Sequence, residues 1–210
     1  MTTSELRLSA SKLACARGGR LVFEDLSFDL GAGEALVLTG PNGSGKSSLL
    51  RQIAGLLDIA AGALTLEGGD SDLTLAEQTH YLGHLDALKP AMTVTETLDF
   101  WAAWFGAPDA SPDIPAALDG MGLAPLADLP VAYLSAGQKR RLALARLLAA
   151  PRPVWLLDEP TVALDAASIA QLGLAMRSHL AAGGLIVAAT HLDLGLADAR
   201  TLRLVLELVT

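Results

Sequence analysis

"EALVLTGPNGSGKSSLL", residues 34–50, decides the fold. Its first six residues form a short, mostly apolar run of buried-strand length, and its end opens the helical run "SLLRQIAGLL". Between them Gly40, Pro41, Asn42, Gly43, Ser44, Gly45, Lys46 and Ser47 match G-x-x-x-x-G-K-S. In that pattern backbone N–H groups wrap a phosphate, the lysine neutralises phosphate charge and the serine hydroxyl ligates Mg²⁺. Pro41, Asn42, Gly43 and Ser44 supply the intervening loop. A strand, a glycine-rich loop and a helix in this order give the context the motif needs, which a glycine-rich turn without function lacks. The dinucleotide pattern G-x-G-x-x-G does not fit "GSGKSS".

Upstream, "LRLSASKLA" and "LVFEDLSFDL" flank Gly18 and Gly19 and predict short antiparallel strands joined by a turn. Downstream, a strand near "GALTLEG" precedes a change of character. From about residue 85 to 150 no buried strand stands out, and Thr93 with Glu96 forms a capping box ahead of an aromatic helix. This predicts an inserted helical subdomain, with "FWAAWFG" (100–106) read chiefly as its core. The minority reading is a groove for a partner's helix. The sheet resumes with "PVWLLDE", passes a helix in "AASIAQLGLAMRSHLAA", continues through "LIVAAT" and ends near "TLRLVLELV". The expectation is one α/β domain spanning 1–210.

In "VWLLDEP" two carboxylates follow an apolar strand, at the edge where open α/β sheets bind ligands. Neighbouring side chains on a strand point opposite ways, so Asp158 is expected to hold hydrated Mg²⁺ and Glu159 to deprotonate an attacking water. A solvated acidic turn is the competing reading of the pair alone. His191, following "LIVAAT", belongs to the same edge and could hydrogen-bond a terminal phosphate. Asp165 has the position of a helix N-cap.

"LSAGQKRRLALARLL", residues 134–148, poses an electrostatic question. Ser135 and Gln138 have capping-box spacing, yet Lys139, Arg140 and Arg141 sit where the helix dipole favours negative charge. Gly137 costs about 1 kcal/mol relative to alanine in a helix and permits close approach of a ligand to the backbone. A phosphate-like anion answers both features.

The formal charge of −8 opposes non-specific binding to nucleic acid or anionic lipid, which needs a basic surface. Cys15 is the one cysteine, so no internal disulfide forms. A cytoplasmic setting is expected, with any membrane link running through a protein partner and no direct insertion.

Taken in order, "GPNGSGKS", "LSAGQ", "LLDEP", "ALD" and the histidine of "ATH" resemble the Walker A, signature, Walker B, D-loop and H-loop motifs of ATP-binding cassette (ABC) ATPases. The resemblance covers nearly the whole chain. It implies a P-loop NTPase cassette: a RecA-like, mostly parallel sheet, an N-terminal antiparallel β subdomain and the helical insert. It also implies ATP and Mg²⁺ as ligands, catalysis by Glu159 and His191, and a head-to-tail homodimer in which Ser135, Gly137 and Gln138 meet the nucleotide of the other subunit.

Ala136, Arg17 and His84 depart from the common pattern, which places glycine, an aromatic ring against adenine, and a Mg²⁺-sensing glutamine there. A guanidinium can also stack, and an imidazole can also bind metal. The short chain, "YLGH" and "LSAGQKRRLALARLL" resemble the ATP-binding subunits of haem exporters of bacterial cytochrome c maturation. That subfamily implies a peripheral subunit on the cytoplasmic face of the inner membrane, joined to membrane permeases and powering release of haem-loaded chaperone. The alternative is a cassette of another exporter, for drug or lipid efflux. A cassette acting on ribosomes or DNA usually has paired cassettes or a coiled-coil insertion, and a P-loop kinase would leave "LSAGQ" without purpose.

Overall fold

The computed structural model describes residues 5–106 and 113–205. Strands β1 (Arg7–Arg17) and β2 (Arg20–Gly31) pair antiparallel through a two-residue turn. Gly18 and Gly19 make it at φ +55° and +77°, the left-handed conformations that a tight hairpin demands. Strand β4 (Ala61–Glu67) adds to the other side of β1, so the expected N-terminal antiparallel sheet has the order β2-β1-β4.

The second sheet is built from β3 (Ala35–Thr39), β5 (Thr79–Leu82), β6 (Val154–Asp158), β7 (Leu185–Ala189) and β8 (Arg200–Arg203). Its order is β5-β6-β7-β3-β8, with every described pairing parallel. Strands β6 and β7 are buried along their whole length, as continuous apolar runs covered on both faces should be. Successive side chains therefore enter different cores. Leu156 and Val187 pack with the antiparallel sheet and α1 (Lys46–Ile53), while Trp155, Leu157 and Ile186 pack under the remaining helices.

Those helices are α2 (Val94–Phe105), α3 (Ile114–Gly120), α4 (Ala136–Ala149) and α5 (Ala166–Ala181). Capping boxes start α2 at Thr93 and α4 at Ser135, and Asp165 caps α5. Helix α4 is buried on nearly all sides and shares one core with the sheet, α2 and α3. It is therefore the beam between insert and sheet. The parallel register puts Asp158 beside Ala189, and Ala189 beside Leu38, so the phosphate loop, the acidic pair and His191 emerge at one edge.

Strand β5 is not among the strands expected from sequence: it has only four residues, two of them buried polar groups, Thr79 and His80, so no apolar run announced it. Two expectations change. The terminal strand stops at Arg203, earlier than the "TLRLVLELV" pattern suggested, and residues 206–210 lie outside the described chain. The "FWAAWFG" stretch is not core throughout. Trp104 is 71% exposed and Phe100 38%, stacked on one face of α2, while Trp101 lies against Arg146.

Candidate functional site

Gly45 ends the loop at φ +97° as N-cap of α1 and makes no side-chain cap, and the first turn of α1 contains no acidic residue. The amides at this helix start are thus open to an anion. The loop glycines are dictated by crowding. A Cβ on Gly45 would lie 2.8 Å from both Val22 and Phe23, and one on Gly40 would lie 2.2 Å from the carbonyl oxygen of Leu204. Lys46 is largely buried, and its Nζ donates to the carbonyls of Gly40 at 2.7 Å and Pro41 at 3.0 Å. Both partners are neutral, so the cation keeps its charge for a ligand. Ser44 Oγ is buried with no hydrogen-bond partner.

Beside this loop lies a cavity of about 610 Å³. Asn42, Gly43, Gly45, Lys46 and Ser47 form its floor, Arg17 and Val22 from the β1–β2 hairpin form one wall, and His84, Asp158, Glu159 and His191 form another. Sequence reasoning missed Val22 and Ser48, which also line it; no motif marks them. Gly40, Pro41 and Ser44 support the loop without lining the cavity.

Asp158 is 1% exposed and its Oδ2 has no hydrogen bond; the nearest partner, Nε2 of the exposed His84, is 3.5 Å away. A buried carboxylate oxygen left without a donor fits a cation. Glu159 does not continue the strand, contrary to the expectation from strand alternation. Its backbone turns into the left-handed region at φ +48°, while its N–H still donates to Ala189 of β7 at 2.8 Å. This conformation costs a non-glycine residue of order 1 kcal/mol or more and swings the carboxylate to His191, whose Nε2 lies 3.6 Å from Oε1. The two acids are separated by this turn rather than by the pleat.

Ser135, Gly137 and Gln138 do not line this cavity. The Ser135 and Gln138 side chains are engaged with each other's backbone N–H groups. Gly137 also answers an internal need: a Cβ there would lie 2.9 Å from the carbonyl of Ala163, itself at φ +64°. Two of the three basic side chains find partners within the chain. Arg140 is buried among carbonyls and Asp86, and Arg141 donates to the carbonyls of Met121 and Gly122. Lys139 instead lines a second, smaller cavity with His84, Glu159 and Ala163.

Comparison with known proteins identifies the family. The family described as "ABC transporter" matches residues 23–162. The "Cytochrome c biogenesis ATP-binding export protein CcmA" of Rhodopseudomonas palustris (strain BisB5) is 57% identical over 94% of this chain and 97% of its own. The protein of the same name from Nitrobacter winogradskyi is 57% identical over 95% and 98%. A solved "ATP binding subunit of ABC transporter" superposes with a TM-score of 0.83 at 26% identity, over 94% of this chain and 85% of that one. Among the described residues no helix is long and apolar enough to cross a membrane. The chain belongs to the ABC transporter family, as an ATP-binding, ATP-hydrolysing cassette similar to the CcmA proteins.

Proposed function

We propose that this chain drives the export step of cytochrome c biogenesis, as the ATPase subunit of a haem exporter that releases haem-loaded chaperone. The observation that carries the subfamily is the near-full-length identity to proteins named for that export. The chemistry is supported by one cavity in which Lys46, Asp158, Glu159 and His191 meet.

ATP lies with its phosphates over Lys46 and the open amides of α1, and its base toward Arg17 and Val22. Ser47 and Asp158, with His84 alongside, offer the hydroxyl and carboxylate donors that suit Mg²⁺, which when bound neutralises charge on the phosphate oxygens. Glu159 accepts the proton of the water whose oxygen attacks the γ-phosphorus as the bond to the leaving ADP oxygen breaks. His191, beside Glu159, donates to the γ-phosphate. Ser135, Gly137 and Gln138 serve the nucleotide of a second copy in a head-to-tail homodimer. A single domain, 1–210, with its helical insert near 85–150, joins membrane permease subunits at the cytoplasmic face of the bacterial inner membrane, with no role for nucleic acid.

A strain carrying Glu159→Gln tests the assignment. Haem still attaches covalently to the chaperone, haem-loaded chaperone accumulates on haem-stained gels, and c-type cytochromes fall while b-type cytochromes stay near normal. Normal c-type cytochromes in that strain, with ATP turnover lost in the purified protein, would reject the haem-exporter role and leave the ATPase standing.

A further inference from the structure

Arg140 lies in the second turn of α4, 4% exposed, and spends every N–H of its guanidinium on the two segments that form the acidic wall of the cavity. Nε donates to Pro160 O at 3.3 Å, and Nη2 to Asp158 O at 3.2 Å and Glu159 O at 2.8 Å. Nη1 donates to Gly83 O at 2.9 Å and to Asp86 Oδ1 at 3.0 Å. The guanidinium has five N–H groups in a fixed planar fork, and all five are used. Three hold consecutive carbonyls of the turn that carries Asp158 and Glu159, and two hold the carbonyl and carboxylate that bracket His84.

We infer that Arg140 is a positioning residue for ATP hydrolysis, clamping the turn of Glu159 and the loop of His84 to the signature helix in one geometry. The inference rests on the reading of Glu159 as the base. The physical need is plain. Glu159 holds a left-handed backbone at φ +48°, a conformation that persists only where its surroundings over-determine it. Its N–H is fixed by Ala189 and its carbonyl by Arg140, so the peptide groups on both sides of its Cα are pinned. Asp86 is the carboxylate that balances the buried cation; the other four acceptors are neutral carbonyls whose directions the fork dictates. Lysine, with three donors on a rotatable ammonium, cannot reproduce that fork. Neither the phosphate loop nor the hairpin wall contacts Arg140 through these bonds, so the clamp bears on hydrolysis far more than on nucleotide affinity.

The test compares Arg140→Lys in the otherwise unchanged chain and in the Glu159→Gln background, measuring kcat, KM, the affinity for a fluorescent ATP analogue and the melting temperature. Arg140→Lys is expected to lower kcat by about 10- to 100-fold, the scale of an ångström-sized misplacement of a catalytic group. KM and analogue affinity stay within about threefold. In Glu159→Gln, where no base remains to be positioned, the same change costs less than about twofold. A lesion that only loosens the fold would cost the same factor in both backgrounds. Asp86→Asn, which keeps an acceptor oxygen and removes its charge, gives a smaller fall in kcat with the same non-additivity, and serves if Arg140→Lys does not fold. Equal factors in both backgrounds, or a kcat within twofold of the unmodified chain, would overturn the inference. Full turnover in Glu159→Gln alone would instead overturn the base.

Discussion

The starts of α1 and α4 are a matched pair with opposite outcomes. Each helix has a glycine at its start, carries at least one basic residue early and lacks an acid in its first turn. At α1 no side chain among the described residues caps the helix, and the Lys46 ammonium donates to neutral carbonyls. At α4 Ser135 and Gln138 close a capping box, and Arg140 and Arg141 reach back to carbonyls of the chain itself. The far end of α4 is closed too, since His80 hydrogen-bonds the carbonyl of Ala150. A helix start that its own chain leaves unsatisfied is open to a ligand. One that its chain satisfies is a mechanical link, and any anion it meets must come from outside, at the exposed face of Ser135.

The comparison breaks most readily at α1. Lys46→Ala removes the loop's cation and is expected to abolish productive ATP binding and turnover, read by nucleotide binding and phosphate release. Unchanged affinity would mean that the open amides suffice or that the phosphates sit elsewhere.

A smaller effect sharpens the closed end of α4. Burial pushes the His80 pKa from 6.5 down to about 3, so the folded chain keeps this ring neutral. Between those values the unfolded chain binds a proton that the folded chain does not, so this contribution to stability is complete above pH 6.5 and shrinks as pH falls toward 3. The loss is about 1.4 kcal/mol per pH unit, or about 2 kcal/mol between pH 6.5 and 5. His80→Gln, which can still donate to Ala150, should lower neutral-pH stability yet lose less on acidification, as urea midpoints at pH 7 and 5 would record. Equal acid sensitivity in the two proteins would assign it to other groups.

The smallest effect belongs to the cap. Ser135→Ala should cost about 1 kcal/mol of stability, the usual worth of an N-cap, read as a lowered urea midpoint with an unchanged slope. No loss would mean that Gln138 alone holds the helix start.

Much of this was legible because local chemistry carried it. The phosphate loop announces itself through Gly40, Gly45, Lys46 and Ser47, whose spacing is set by backbone geometry, and β6 and β7 through unbroken apolar runs. Capping boxes at Thr93 and Ser135 are likewise written in residues three apart. What stayed hidden depends on partners distant in sequence. The turn at Glu159 needs Ala189 and Arg140 to hold it, the crowding at Gly137 comes from the carbonyl of Ala163, and β5 is a strand only because β6 lies beside it. The basic cluster of α4 was visible as an anomaly. Its solution lay 18 to 20 residues away at Asp158, Glu159 and Pro160, and 57 residues away at Gly83.

The central claim is that α1 binds nucleotide for its own subunit while the exposed start of α4 serves a second copy. Mixing Lys46→Ala and Ser135→Arg subunits tests it most directly. In a mixed head-to-tail dimer both lesions fall in one composite site and the other site is intact. The account predicts ATP turnover in the mixture well above that of either protein alone, approaching half the unmodified rate per mixed dimer if the sites act independently. A mixture no more active than the sum of its separate components would contradict it.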